Sequence, residues 1–239
     1  MPDDLESRFD YGFKMENWHI YMHLPPNINE MKIEDFVEKF GEPYSKRLGI
    51  DLASGRNDEF VKWLLASILY AKPIRESSAT RTYKTFEAHG SLSVDTILDR
   101  GWGGLVQMLD EGGYVRYDFS TATKLLEVFN TLKRDYDSDL WNLYRLSSDG
   151  VDLEVRLKAL GKGVGEATVS IFLRDMRGIW KKADPKPTPM VRMAMEKLGI
   201  ADLKDFAKGR NLDVIWLETA LLRLAKDFLR RGKEVDISL

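Results

Sequence analysis

Apolar positions recur along this chain at helical rather than strand spacing. Phe36, Val37 and Phe40 begin a short apolar pattern in the N-terminal part. Asn57 and Asp58 suit the start of a helix that carries Phe60, Val61, Leu64, Leu65, Ile68 and Leu69, and Pro73 should end it. A further helix is expected over Ala79 to Ala88, stopped by Gly90, and a short one opened by Ser93-Val94-Asp95 and carrying Ile97 and Leu98. Gly101, Gly103 and Gly104 punctuate the next stretch, before a turn or two of helix over Leu105 to Leu109. Gly112-Gly113-Tyr114 breaks the chain, and Ser120 can cap the following helix, with Ala122, Leu125, Leu126 and Phe129 on one face.

The second half continues the pattern. Leu140 to Leu146 reads as short helix, Leu153, Leu157 and Leu160 form one stripe, and Val164, Thr168, Ile171 and Phe172 form the next. A loop rich in Lys and Pro runs from Gly178 to Pro189. Met190 to Leu198 is helical and ends at Gly199, a C-cap residue, and a last long helix runs from about Leu212 to Arg231, ending at Gly232. No strand, internal repeat or low-complexity tail stands out, so the predicted fold class is all-α.

With 239 residues, the chain can form one large domain or two small ones on a shared core. Hydrophobic residues make up 44% and charged residues 31%, a globular balance. No segment reaches the roughly 18 uncharged apolar residues of a membrane span. The stretch Met1 to Asp10 is acidic and lacks the apolar core of a secretory signal, so the expected location is cytoplasmic. The absence of cysteine excludes disulfides, thiol catalysis and a cysteine-ligated iron–sulfur cluster. His19 and His23 have a helical metal-binding spacing, but Trp18-His19-Ile20-Tyr21-Met22-His23 reads better as packing; no metal site or cofactor is expected. The net charge of −2 gives no bulk attraction to nucleic acid, so any DNA binding must come from local geometry.

The most informative run is Leu157-Lys158-Ala159-Leu160-Gly161-Lys162-Gly163-Val164-Gly165-Glu166-Ala167-Thr168. An apolar helix, a glycine-rich turn and a second apolar helix follow at once. Gly163 and Gly165 permit backbone angles and close approaches closed to other residues, while Val164 can plug the core. Free N–H groups and the positive dipole end of the second helix suit a phosphate oxygen, whatever the base sequence. The alternative is a tight interhelical connection and nothing more. A dinucleotide fingerprint is excluded because no strand precedes it.

These residues resemble the helix-hairpin-helix DNA glycosylases, the superfamily that contains endonuclease III. Gly163-Val164-Gly165 with Thr168 is similar to the family's hairpin, and Arg177-Gly178-Ile179-Trp180-Lys181-Lys182-Ala183-Asp184-Pro185 to the loop that carries its aspartate. Leu65 to Lys72 resembles the early helix ending in a DNA-wedging residue, and Gly112-Gly113-Tyr114 with Thr121 to Phe129 the segment before the hairpin. The resemblance covers roughly residues 58 to 200. It implies two helical lobes, 56–178 and 1–55 plus 179–239, with a DNA-binding cleft between them. It also implies a base-excision glycosylase acting on double-stranded DNA that holds a damaged or mismatched base. Asp184 would be the catalytic carboxylate, and Lys72, Lys162, Gly163, Val164, Gly165 and Thr168 the DNA contacts. Tyr70, Tyr114 and Trp180 would line a base pocket; Trp102 and Tyr117 are further aromatic candidates.

Three departures qualify that picture. The bifunctional members carry a lysine two residues after the hairpin's last glycine, where this chain has Ala167; without that amine no Schiff base with the sugar forms there, and base release without strand cleavage is expected. Gly161-Lys162 stands where a Leu-Pro pair is usual. Counting back from Arg192 to the family's aspartate gives Pro187, so Asp184 fits only with about one inserted turn. A non-catalytic DNA-binding protein of the same fold and a helical protein-interaction domain are therefore the competing readings.

Overall fold

The computed structural model describes residues 31–239. The His19/His23 pair and the acidic Met1 to Asp10 stretch lie outside them. The described chain is mostly helical: α1 (Ile33–Phe40), α2 (Tyr44–Arg47), α3 (Asn57–Tyr70), α4 (Glu76–Ala88), α5 (Val94–Asp99), α6 (Gly101–Glu111), α7 (Asp118–Tyr136), α8 (Leu140–Leu146), α9 (Gly150–Ala159), α10 (Glu166–Asp175), α11 (Pro189–Leu198), α12 (Leu203–Gly209) and α13 (Val214–Asp227). Its only sheet pairs β1 (Met31–Lys32) and β2 (Ile237–Ser238) in parallel. No helix among the described residues is long and apolar enough to cross a membrane.

The buried apolar side chains form two clusters. The larger is built on α3, which is apolar almost all round and buries Phe60, Val61, Trp63, Leu64, Leu65, Ile68 and Leu69. Helices α4, α8 and α10 pack on it, and the Trp63 indole donates to the Phe172 carbonyl at 3.0 Å, tying α3 to α10. The smaller cluster joins α1 to the C-terminal helices: Phe36, Val37 and Phe40 meet Val191, Ala194, Leu217, Leu221 and Leu224.

Buried charges gather between the two clusters. In α10, Arg174 pairs with its neighbour Asp175 at 2.8 Å, and Asp175 accepts from the Ser45 hydroxyl at 2.8 Å. Arg177 pairs with Glu218 of α13 while donating to the Pro185 carbonyl at 2.6 Å. Arg223 of α13 donates to the carbonyls of Phe40 and Glu42. Glu76 accepts from the Tyr44 hydroxyl and pairs with Lys226 at 3.3 Å. Burial opposes ionisation of Glu76, but Lys226, Arg223 and the Tyr44 hydroxyl outweigh it and hold the carboxyl below its ordinary range.

Several boundaries depart from the sequence reading. α6 begins at Gly101 and runs through Gly103 and Gly104, because burial of Leu105, Met108 and Leu109 outweighs the weak helix preference of glycine. α7 starts at Asp118, so Ser120 lies inside its first turn, where the hydroxyl donates back to the Tyr117 carbonyl at 3.1 Å. The final helix breaks at Asp227 and continues as a single 3₁₀ turn to Gly232. α2 and α12 are too short to show a period. The strand pair is also a correction: two residues at each end of the described chain meet only because the smaller cluster brings them together.

Candidate nucleic-acid interface

α9 and α10 are joined by a turn over residues 160–165. Leu160 and Val164 are buried under it, so the apolar stripe of α9 runs into the core through the turn. Gly163 adopts φ +83°, a left-handed conformation that favours glycine, and a Cβ there would lie 2.8 Å from Lys124 Cε, so the end of that lysine side chain would have to move. Gly165 differs. Its φ is −100°, open to any L residue, and a Cβ there would meet nothing within 4 Å. Nothing inside the protein demands glycine at that position.

Gly165 is also the N-cap residue of α10, and no side chain caps this helix end. The first-turn N–H groups therefore face outward on a surface formed by Lys162, Gly163, Gly165, Glu166 and Ala167, all exposed. Glu166 places a carboxylate in that turn, and Lys158 neutralises it at 2.8 Å. The arrangement offers several backbone donors, the positive end of a dipole and room for a close approach from outside.

Lys72 lies just beyond the C-terminus of α3. Its ammonium sits 5.4 Å from the Tyr117 ring centroid, and the Arg116 guanidinium 5.6 Å from the same ring. It reaches the hairpin turn through Lys124 of α7, whose ammonium donates to the Gly163 carbonyl at 2.5 Å. Burial and the charge of Lys72 push the Lys124 amine down to about 8. Sequence reasoning missed Lys124. The available signal was a lysine on the apolar face of a periodic helix, between Thr121 and Leu125 on one side and Val128 on the other.

Asp184 is exposed on the loop between α10 and α11. Its carboxylate lies 3.4 Å from Arg177 Nε and forms an ion pair with Lys204 of α12. It does not cap α11; Thr188 does, accepting from the Val191 amide. Asp184 is thus held by the C-terminal end of the α10 segment and by α12, while Lys72 is gathered to the turn at the other end of α10.

The aromatic candidates divide. Trp180 is fully buried among Phe60, Trp141, Tyr144 and Phe172, with Tyr144 stacked at 5.0 Å, and its indole N–H has no partner. Tyr114 is buried too, its hydroxyl donating to the Leu69 carbonyl at 2.6 Å. Both are core residues in this structure, which corrects their assignment to a base pocket: a ring enclosed by protein has no free face for a base. Tyr70 is half-buried, with one ring face stacked on Tyr44 at 4.6 Å and its hydroxyl bonded to Thr80; burial pushes that hydroxyl up to about 12. Thr168 is buried as well, its side chain packed inside the hairpin. Trp102 remains exposed, paired with Phe119 at 5.3 Å.

No protein-family model, curated protein or solved structure matches this chain.

Proposed function

We propose that the chain binds duplex DNA through a helix-hairpin-helix formed by α9, the turn at 160–165 and α10, and that it is a base-excision glycosylase with its DNA cleft between two helical lobes. The observation that carries this reading is Gly165. Its glycine has no internal explanation, yet it stands at the uncapped, outward-facing start of a helix, where a phosphate backbone needs space and donors. The low net charge fits such a mode, because backbone donors replace a basic surface.

Within this reading Asp184 is the carboxylate that stabilises positive charge developing on the deoxyribose as the N-glycosidic bond breaks. The target base must leave the stack first. Ala167 is exposed at the hairpin position where a Schiff-base lysine would stand, so the product is an abasic site in an intact strand. The test is a screen over duplexes containing uracil, hypoxanthine, 8-oxoguanine, alkylated purines and mismatches, following free base and then alkali-sensitive sites. Release of one base class with strand breaks only after alkali is the expected result; strand breaks before alkali that borohydride can trap would reject the monofunctional assignment.

A second reading, a DNA-binding protein of this fold without catalysis, is favoured by one feature: the Asp184 carboxylate is already neutralised by Lys204 and Arg177. Duplex binding with no base release across the screen would select it. Failure to bind any duplex would leave a protein-interaction role for the turn. Lys72 separates handling of an extrahelical site from bulk attraction. Lys72→Ala should weaken binding to an abasic-analogue duplex more than to an undamaged one, measured by fluorescence anisotropy; equal losses would contradict that role.

A further inference from the structure

Beneath the exposed turn lies an arrangement that the hairpin's backbone donors do not account for. Lys124 is almost fully buried, yet its amine does not face a carboxylate: it donates to the Gly163 carbonyl, and the side-chain charge that acts on it is the like charge of Lys72. Lys72 rests against the Tyr117 ring, and Arg116 approaches that ring as well. Among the described residues none of these three cations has an acidic side chain within ion-pair distance, whereas the buried arginines Arg174, Arg177 and Arg223 each do. Like charges brought this close repel, and burial removes the water that would screen them. The protein thus maintains an uncompensated pair of amines, one of them on the deep side of a turn whose opposite side is open to solvent.

We infer that Lys72 and Lys124 form a two-amine phosphate site. Given the DNA-binding reading, it takes the phosphodiester that flanks an extrahelical nucleotide. A dianionic or diester phosphate supplies the missing counter-charge, and two ammonium groups supply donors to two of its oxygens. The depth of Lys124 selects the phosphate. A regular duplex backbone running over Gly165 meets the outward N–H groups, whereas an amine under the turn is reached only by a strand that departs from the duplex path, as it does where a nucleotide is flipped out. Proton affinity supports the same assignment: an anion restores the charge that Lys72 and burial disfavour on Lys124.

The test uses full-length protein with lysine labelled with ¹³C at the ε carbon, the signals of residues 72 and 124 assigned through Lys72→Arg and Lys124→Arg. Each is titrated with inorganic phosphate, an undamaged duplex and an abasic-analogue duplex, and anisotropy is measured for wild type, Lys72→Met and Lys124→Met. The expected result is that the abasic duplex shifts both signals and raises the Lys124 titration midpoint. Each Met variant, folded by circular dichroism, should lose at least ~10-fold in affinity for that duplex and lower its salt slope by about one. If duplex binds but neither signal moves and the Met variants bind as wild type does, the phosphate site is wrong and the DNA reading stands. If phosphate moves both signals while no duplex binds, the two-amine site stands with a free phosphate as its ligand and the DNA reading fails. Equal losses on damaged and undamaged duplexes would overturn the assignment to a flanking phosphate.

Discussion

Asp184→Asn is expected to lower base release by at least ~100-fold, the scale seen when a single electrostatic stabiliser is removed. The substitution keeps the shape of the side chain and removes only its charge. The fold should not register it, because the residue is exposed and its partners, Lys204 and Arg177, are anchored independently: Arg177 by Glu218 and the Pro185 carbonyl, Lys204 by the α12 backbone. DNA affinity should hold or rise, since a carboxylate near phosphates repels them. Single-turnover release of free base, measured beside anisotropy on the same duplex, separates the two effects. Full activity in the Asn variant would remove Asp184 from the chemistry.

The largest expected effect on stability comes from the Arg177–Glu218 pair. Both side chains are buried, and the pair joins the segment after α10 to α13 across the two hydrophobic clusters. Glu218→Ala leaves the buried Arg177 guanidinium with only its longer contact to the exposed Asp184 carboxylate, a change that destabilises by about 3 kcal/mol, the lower end for breaking a buried pair. For a chain of this size that corresponds to a fall in Tm on the order of 10 °C. The double replacement Arg177→Met/Glu218→Leu should recover most of the loss, because a desolvated pair contributes little beyond a well-packed apolar one. Thermal melts of the three variants check this; a Glu218→Ala protein that melts with wild type would mean that the pair is solvated.

Long periodic segments were legible from sequence because burial there is repetitive. The stripe from Phe60 to Leu69 and the stripe joining Leu157 through the turn to Phe172 correspond to helices with those stripes turned into the core, and Gly199 ends α11 as its left-handed C-cap. What could not be read depends on contacts between distant residues. The helical glycines of α6 follow from what Leu105 and Met108 pack against, and β1 pairs with β2 only through the tertiary fold. The same divide runs through the candidate site. Gly163 could be picked from its neighbours, but the distinction between Gly163, whose conformation favours glycine, and Gly165, whose conformation does not, needs the surrounding atoms. Trp180 and Tyr114 illustrate the reverse error: an aromatic residue next to a functional motif looks available until its enclosure is known. Lys124 is hidden for the same reason, since its surroundings come from the loop after α3 and from the turn at 160–165.

The central claim is that the turn before α10 receives a phosphate backbone from outside, and Gly165→Leu tests it most directly. No neighbouring atom opposes a Cβ there and the backbone is unstrained, so the variant should fold, with a Tm lowered by no more than a few degrees, since leucine is a poorer N-cap than glycine. The measurement is fluorescence anisotropy of wild type and Gly165→Leu against labelled undamaged and abasic-analogue duplexes at one fixed salt concentration. The account predicts tight binding by wild type and a loss of at least ~10-fold on both duplexes for the variant, about 1.4 kcal/mol or more. A folded Gly165→Leu protein that binds both duplexes as tightly as wild type would contradict it.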